Sequence, residues 1–203
     1  MRAGAAPHEE ALRGEVPVPV TDVLAYLAGT WHVERTVADL AGGGTGTFDG
    51  TTVFAPLDPD GADQSGDGLP GRGERSGDGG DRSGLLHHES GTFRWQGTPR
   101  PAERTLRYLP GEHSGTARVE FSDRRFFHDL DLRTGAYVAY HPCAADLYRG
   151  EFTVLGADRW RTRWRVTGPA KDLVLVTDYT RARRHTPPPR PVTGRTTAEP
   201  VLD

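Results

Sequence analysis

The run Arg159-Trp160-Arg161-Thr162-Arg163-Trp164-Arg165-Val166 alternates arginine with an apolar or β-branched residue at every step. Successive side chains of an extended chain point to opposite faces, whereas a helix would spread the two sets around its circumference. The run therefore reads as a strand with Trp160, Thr162, Trp164 and Val166 turned to a core and Arg161, Arg163 and Arg165 turned to solvent. The same rule, carried outward, places Tyr148, Gly150, Phe152 and Val154 inside on the preceding strand, and Tyr137, Ala139 and His141 inside on the one before it. It also turns Phe126, His128, Leu130 and Leu132 inward with Phe127 outward, and sets Leu85, His87, Glu89, Gly91, Phe93 and Trp95 on the inner face of an earlier strand.

Gly, Pro and Asp punctuate period-two runs along most of the chain, giving expected strands at 30–39, 46–55, 84–95, 102–109, 115–121, 124–132, 136–142, 147–155, 158–168 and 172–181. Nine or ten sequential strands with short connections favour a single antiparallel up-and-down β-barrel, because closure removes the exposed edges that so long a sheet would leave. Before the first strand, Thr21-Asp22-Val23-Leu24-Ala25-Tyr26-Leu27-Ala28 carries an N-cap residue and apolar positions three and four apart, then Gly29. That pattern predicts a short N-terminal helix over one end of the barrel. The expected class is all-β with this one helix.

With 35% apolar and 26% charged residues in 203, the chain has material for one core and one ordered domain of roughly 140 residues. Residues 20–181 are the expected barrel domain, and 1–19 and 182–203, the latter with Pro187-Pro188-Pro189, are expected to be disordered. The Asp/Gly/Ser/Arg-rich stretch 56–83 interrupts the domain as an extended hairpin loop, its composition too polar to join a core. A net charge of -3 without a basic block argues against nucleic acid as a partner. Cys143 is the one cysteine, so an intramolecular disulfide and a multi-cysteine metal site are excluded. The N-terminus lacks the apolar core of a signal peptide, and no run approaches the roughly 20 apolar residues of a membrane span, which predicts a soluble cytoplasmic protein. Lys171 is the one lysine, and the arginine elsewhere reads as coding bias in a GC-rich genome.

Polar side chains pointing into a small barrel cost about 1–3 kcal/mol each when unsatisfied. The inward set His128, His141, Asp146, Tyr148 and Glu89 therefore implies a hydrated or ligand-filled cavity, or a self-satisfied network. Two imidazoles beside a carboxylate have the residue types for general acid and base near neutral pH, and Tyr148 for hydrogen-bonding a carbonyl or enolate oxygen. This suits cofactor-free isomerisation, cyclisation or dehydration in specialised metabolism; the alternatives are a non-catalytic carrier or sensor, and a filled structural core. Trp31, Trp95, Trp164, Tyr137 and Tyr179, with His87 and Cys143, are the candidate ligand-binding wall. Cys143 as a nucleophile beside His141 is disfavoured by Pro142, which suggests a loop. His87-His88-Glu89 is not expected to bind metal, since neighbouring strand residues face opposite sides. A cross-strand site of His87, His128 and His141 is the alternative. Lys171 reads as a turn lysine beside Asp172, and the Arg161, Arg163, Arg165 stripe as ion-paired with acids such as Asp129 and Asp131.

Leu27-Ala28-Gly29-Thr30-Trp31 resembles the Gly-x-Trp of lipocalins and the wider calycins, which implies that Trp31 closes a barrel end with Arg181 or Arg183 packed over it. A longer set of landmarks extends the likeness: Phe126-Phe127-His128-Asp129-Leu130-Asp131-Leu132, His141-Pro142-Cys143 with Asp146, Tyr148 and Gly150, and Trp164-Arg165-Val166-Thr167-Gly168-Pro169-Ala170-Lys171-Asp172. Together they resemble the uncharacterised actinobacterial family DUF6314 over most of residues 22–181. The resemblance implies a calycin-like barrel and no established activity, and the 56–83 insertion departs from the compact family pattern. No cofactor is expected; the nitrobindin-like calycins imply the alternative of a haem held by His128 or His141.

Overall fold

The computed structural model describes residues 15–57 and 84–182. Most of the 56–83 insertion, the C-terminal tail beyond Ala182 and Arg183 lie outside the described residues. One short helix, α1 (Val23–Leu27), precedes ten strands: β1 (Gly29–Asp39), β2 (Thr45–Pro56), β3 (Leu85–Trp95), β4 (Thr98–Pro110), β5 (Thr116–Phe121), β6 (Phe126–Asp131), β7 (Ala136–Cys143), β8 (Asp146–Gly156), β9 (Arg159–Gly168) and β10 (Lys171–Arg181). No described helix is long and apolar enough to cross a membrane.

All ten strands form one antiparallel sheet in the order β6-β5-β4-β3-β2-β1-β10-β9-β8-β7. The sheet curls until its edge strands β6 and β7 lie side by side, without a hydrogen-bonded register between them among the described residues, so the barrel is nearly closed. Turn chemistry makes the hairpins. Gln96 and Gly97 both take positive φ (47° and 85°), the backbone that matches the right-handed twist of the two strands they join.

Alternation is obeyed on β9, where Trp160, Thr162 and Val166 are buried, and on β3, where Leu85, His87 and Glu89 are buried and Leu86 and His88 exposed. Gly150 lets β8 and β9 come together: a Cβ there would sit 2.6 Å from the Trp164 indole. On β6 the expected phase fails. The β5–β6 register shifts between Val119 and Glu120, so Phe126 faces solvent at 41% exposure while the adjacent Phe127 and His128 are both buried. A bulge inserts one unpaired residue and thereby turns two consecutive side chains inward.

At the α1 end the core is sealed. Asp22 caps the helix by accepting from Ala25 N–H (3.0 Å), and Val23 and Leu27 are fully buried. Trp31 donates Nε1–H to Leu27 O (2.7 Å), and its ring meets Trp160 edge-on at 6.2 Å. Arg181 covers Trp31 with its guanidinium 4.0 Å from the ring and donates to Ala28 O (3.0 Å) and Tyr26 O (2.7 Å). Residues 15–20 run along the wall, Val18 N–H donating to Val154 O and Val20 N–H to Leu132 O.

The outer arginine stripe is ion-paired, but with acids other than Asp129 and Asp131. Arg161 pairs with Asp178 (2.7 Å), Arg163 with Glu151 (3.7 Å) and Arg165 with Asp172 (2.6 Å), acids on the flanking strands β8 and β10. Asp131 is held by Arg133 two residues on. Lys171 pairs with Asp146 instead of Asp172, because Asp172 is engaged by Arg165.

Candidate functional site

β1 starts at the helix and runs away from it, so its inward residues past Trp31 and Val33 lie progressively toward the opposite end. Arg35 is next in that phase. It faces Glu89 of β3 and donates Nη1 and Nη2 to the two carboxylate oxygens (2.9 and 2.8 Å), while its Nε donates to Thr177 Oγ1 of β10 (2.8 Å). Arg104 of β4, paired in register with Glu89, brings a second guanidinium to 3.5 Å from the carboxylate. Glu89 is 3% exposed. Burial alone would raise its pKa, but Arg104 and Arg35 outweigh that and hold it below the usual carboxylate value. Beside these charges is a cleft of about 150 Å³ lined by Phe48, Phe93 and Ala102 as well as Arg35, Glu89, Glu103 and Arg104.

His87, two residues before Glu89 on the same face, is 1% exposed, and its Nδ1 has no hydrogen-bond partner among the described residues. Desolvation, reinforced by Arg104, drives its pKa down to about 3, so the ring is neutral. It packs edge-on to Phe54 at 4.8 Å.

The other candidates gather at the β6–β7 seam. His128 donates from Nδ1 to Asp129 O (2.7 Å), since a carbonyl can only accept, and its pKa falls to about 4 through burial. Phe127, Phe152 and Trp164 surround the ring with centroids at 4.7, 5.2 and 5.5 Å. Half-buried His141 lies across the seam, 5.0 Å from Phe127, 5.6 Å from Phe121 and 6.0 Å from Tyr148. Asp146 is at the far rim with Lys171, and Glu89 is with Arg35. Among the described residues no carboxylate hydrogen-bonds His128 or His141.

The aromatic candidates divide. Trp31 belongs to the sealed end, while Tyr179 stacks on Trp160 at 3.7 Å and turns its hydroxyl to Arg35. Trp95 stacks on Phe93 near the cleft (6.2 Å), Trp164 stacks on Phe127 in the seam (5.4 Å), Tyr137 is half-buried on β7, and Cys143 is exposed at the β7 terminus. The described residues contain no group of three or more His, Cys, Asp or Glu placed to hold a metal ion. His87 and His128 face different ring clusters. The residues do not fit a haem either: both seam histidines are hemmed in by aromatic rings, and the cleft has room for about one such ring rather than a macrocycle.

Arg35 and Arg104 were absent from the sequence-derived candidates. The signal was the alternation itself: counting on from Trp31 and Val33, or back from Tyr108 and Leu106, puts each arginine inside.

The family described as "Family of unknown function (DUF6314)" matches residues 27–181. The chain belongs to DUF6314. No curated protein compared with this DUF6314 chain matches it. Among solved structures, the S-type phycobiliprotein lyase of Guillardia theta superimposes with a TM-score of 0.55 at 8% identity, covering 83% of this chain and 96% of that one. A DUF3598 protein of unknown function from Nostoc punctiforme gives a TM-score of 0.52 at 11% identity, over 82% of this chain and 51% of that one. At such identities the likeness establishes that this DUF6314 chain shares their fold.

Proposed function

We propose that this DUF6314 protein is a binding barrel for a small organic molecule, held in the interior cleft between β1 and β4. The observation that carries the reading is a recess that combines the apolar side chains Phe48, Phe93 and Ala102 with a buried, mutually fixed Arg35–Glu89 pair, as ligand pockets combine apolar walls with a few placed polar groups. Proton-transfer chemistry at His128, His141 and Tyr148 has weaker support. His128 is a neutral, weak base near pH 7 with its Nδ1 proton committed, and Asp146 and Glu89 are both engaged by cations.

A thermal-shift measurement with phenol, a neutral single-ring probe, tests the reading. Phenol at a hundred times its Kd should stabilise the fold by about 2.7 kcal/mol. Ala102→Phe, which fills the recess, should abolish the shift while leaving the melting transition cooperative. Absence of a shift in the wild type at saturating phenol would count against a ligand cavity.

A further inference from the structure

We propose that the cleft takes a monocyclic aromatic carboxylate, its ring against Phe48 and Phe93 and its carboxylate on the Arg104 guanidinium. The inference rests on the barrel binding a small molecule and names that molecule's chemical class.

The hydrogen-bond inventory of the three charged side chains sets the ligand's charge. Arg35 spends Nη1, Nη2 and Nε on Glu89 and Thr177. Glu89 has both oxygens on Arg35, so these two charges compensate each other. Arg104 approaches the same carboxylate only to 3.5 Å and makes no hydrogen bond among the described residues. Its side chain is 43% exposed, and a guanidinium presents five N–H donors in a fixed fork. Arg35 and Glu89 thus satisfy each other, and the guanidinium of Arg104 is the cation at the cleft whose donors are free. Glu103 also lines the cleft, next to Arg104 along β4 and in the opposite phase of the alternation.

A guanidinium with an unused fork matches a planar carboxylate by two parallel charge-assisted hydrogen bonds. One guanidinium with free donors, beside two carboxylates, suits a monoanion. A dianionic phosphate would bring its second charge toward Glu89 and Glu103.

The walls and the volume set the rest. Phe48 is buried, Phe93 is backed by Trp95, and Ala102 keeps the β4 side shallow. The Arg35 guanidinium lies 5.1 Å over the Phe48 ring and holds that ring in place from one side. A cavity of about 150 Å³ accommodates a single benzene-sized ring. Gly50 and Gly91 face each other across β2 and β3 beside Phe48, where a Cβ on either would come within 2.8 Å of the Phe48 ring. These glycines therefore make room for the Phe48 ring that forms a wall of the cleft.

Calorimetric titration of the full chain at pH 7 with benzoate, its neutral isostere benzamide, and phenyl phosphate tests the assignment. Benzoate should bind at least tenfold tighter than benzamide and tighter than phenyl phosphate. Arg104→Gln should collapse the benzoate-to-benzamide ratio toward one, and Arg104→Lys, which keeps the charge but loses the fork, should give an intermediate ratio. The wild-type ratio stands as a test even if a variant folds poorly. Equal binding of benzoate and benzamide, or a phosphate preference, overturns the carboxylate assignment while a phenol response would leave the binding reading in place. No response to benzoate, benzamide or phenol overturns both.

Discussion

His128 shows how far one buried side chain reaches. Its value of about 4 in the fold lies below the 6.5 of an ordinary imidazole, so as pH falls the unfolded chain takes up the proton first. The stability tied to the neutral ring is complete above about pH 6.5 and is lost as pH falls from there toward 4, on the order of 3 kcal/mol in all. His87, at about 3, acts in the same direction down to lower pH. His128→Phe should therefore flatten the dependence of Tm on pH between 6.5 and 4 without removing it, since His87 still titrates. An unchanged slope in that variant would show that His128 is not the group responsible. The burial of His128 was legible from its place in an alternating run, but its neighbour was not. Whether Phe126 or Phe127 turns inward depends on a bulge opposite Val119 and Glu120, a two-strand property that one strand's pattern does not encode.

At the scale of elements, α1 is only five residues long, too short for its own hydrogen bonds to maintain it. Its position depends on β1 and β10 through Trp31 and Arg181. Removing the guanidinium forfeits two charge-assisted hydrogen bonds to helix carbonyls and the contact over the indole, so Arg181→Ala should lose on the order of 3 kcal/mol in urea denaturation. Arg181→Lys should restore less than half, because an ammonium cannot reach both carbonyls as a fork does. A lysine variant as stable as the wild type would sink that account. Gly-x-Trp announced the sealed end in sequence, and both ends of nine strands out of ten were readable within two residues from turn residues and alternation; only the start of β4 falls outside that margin. The cleft was not readable as a site. Its charges come from β1, β3 and β4, and their meeting depends on register between strands, whereas Glu89 alone stood out, as a carboxylate that alternation turns inward.

For the whole molecule, the sheet order has a beginning and an end, β6 and β7, and the space between them is filled by Phe121, Phe127, His141 and Tyr148. Amides facing that seam lack the protection of a ladder. Hydrogen exchange should find them opening at free energies well below the global value, while those of β1 and β10, laddered on both sides, exchange only through global unfolding. Uniform protection around the barrel would contradict a seam without a ladder.

In mechanical terms the barrel is a split ring. The bore of a fully laddered barrel is locked by strand number and shear, and changing it means shifting hydrogen-bond register. Here nine junctions carry that lock and the tenth is a joint of aromatic rings. The girth of this barrel is therefore set by side-chain volume at a single place, and a larger or smaller residue at Phe127 or His141 would dilate or tighten the whole ring without breaking a hydrogen bond in the other nine junctions.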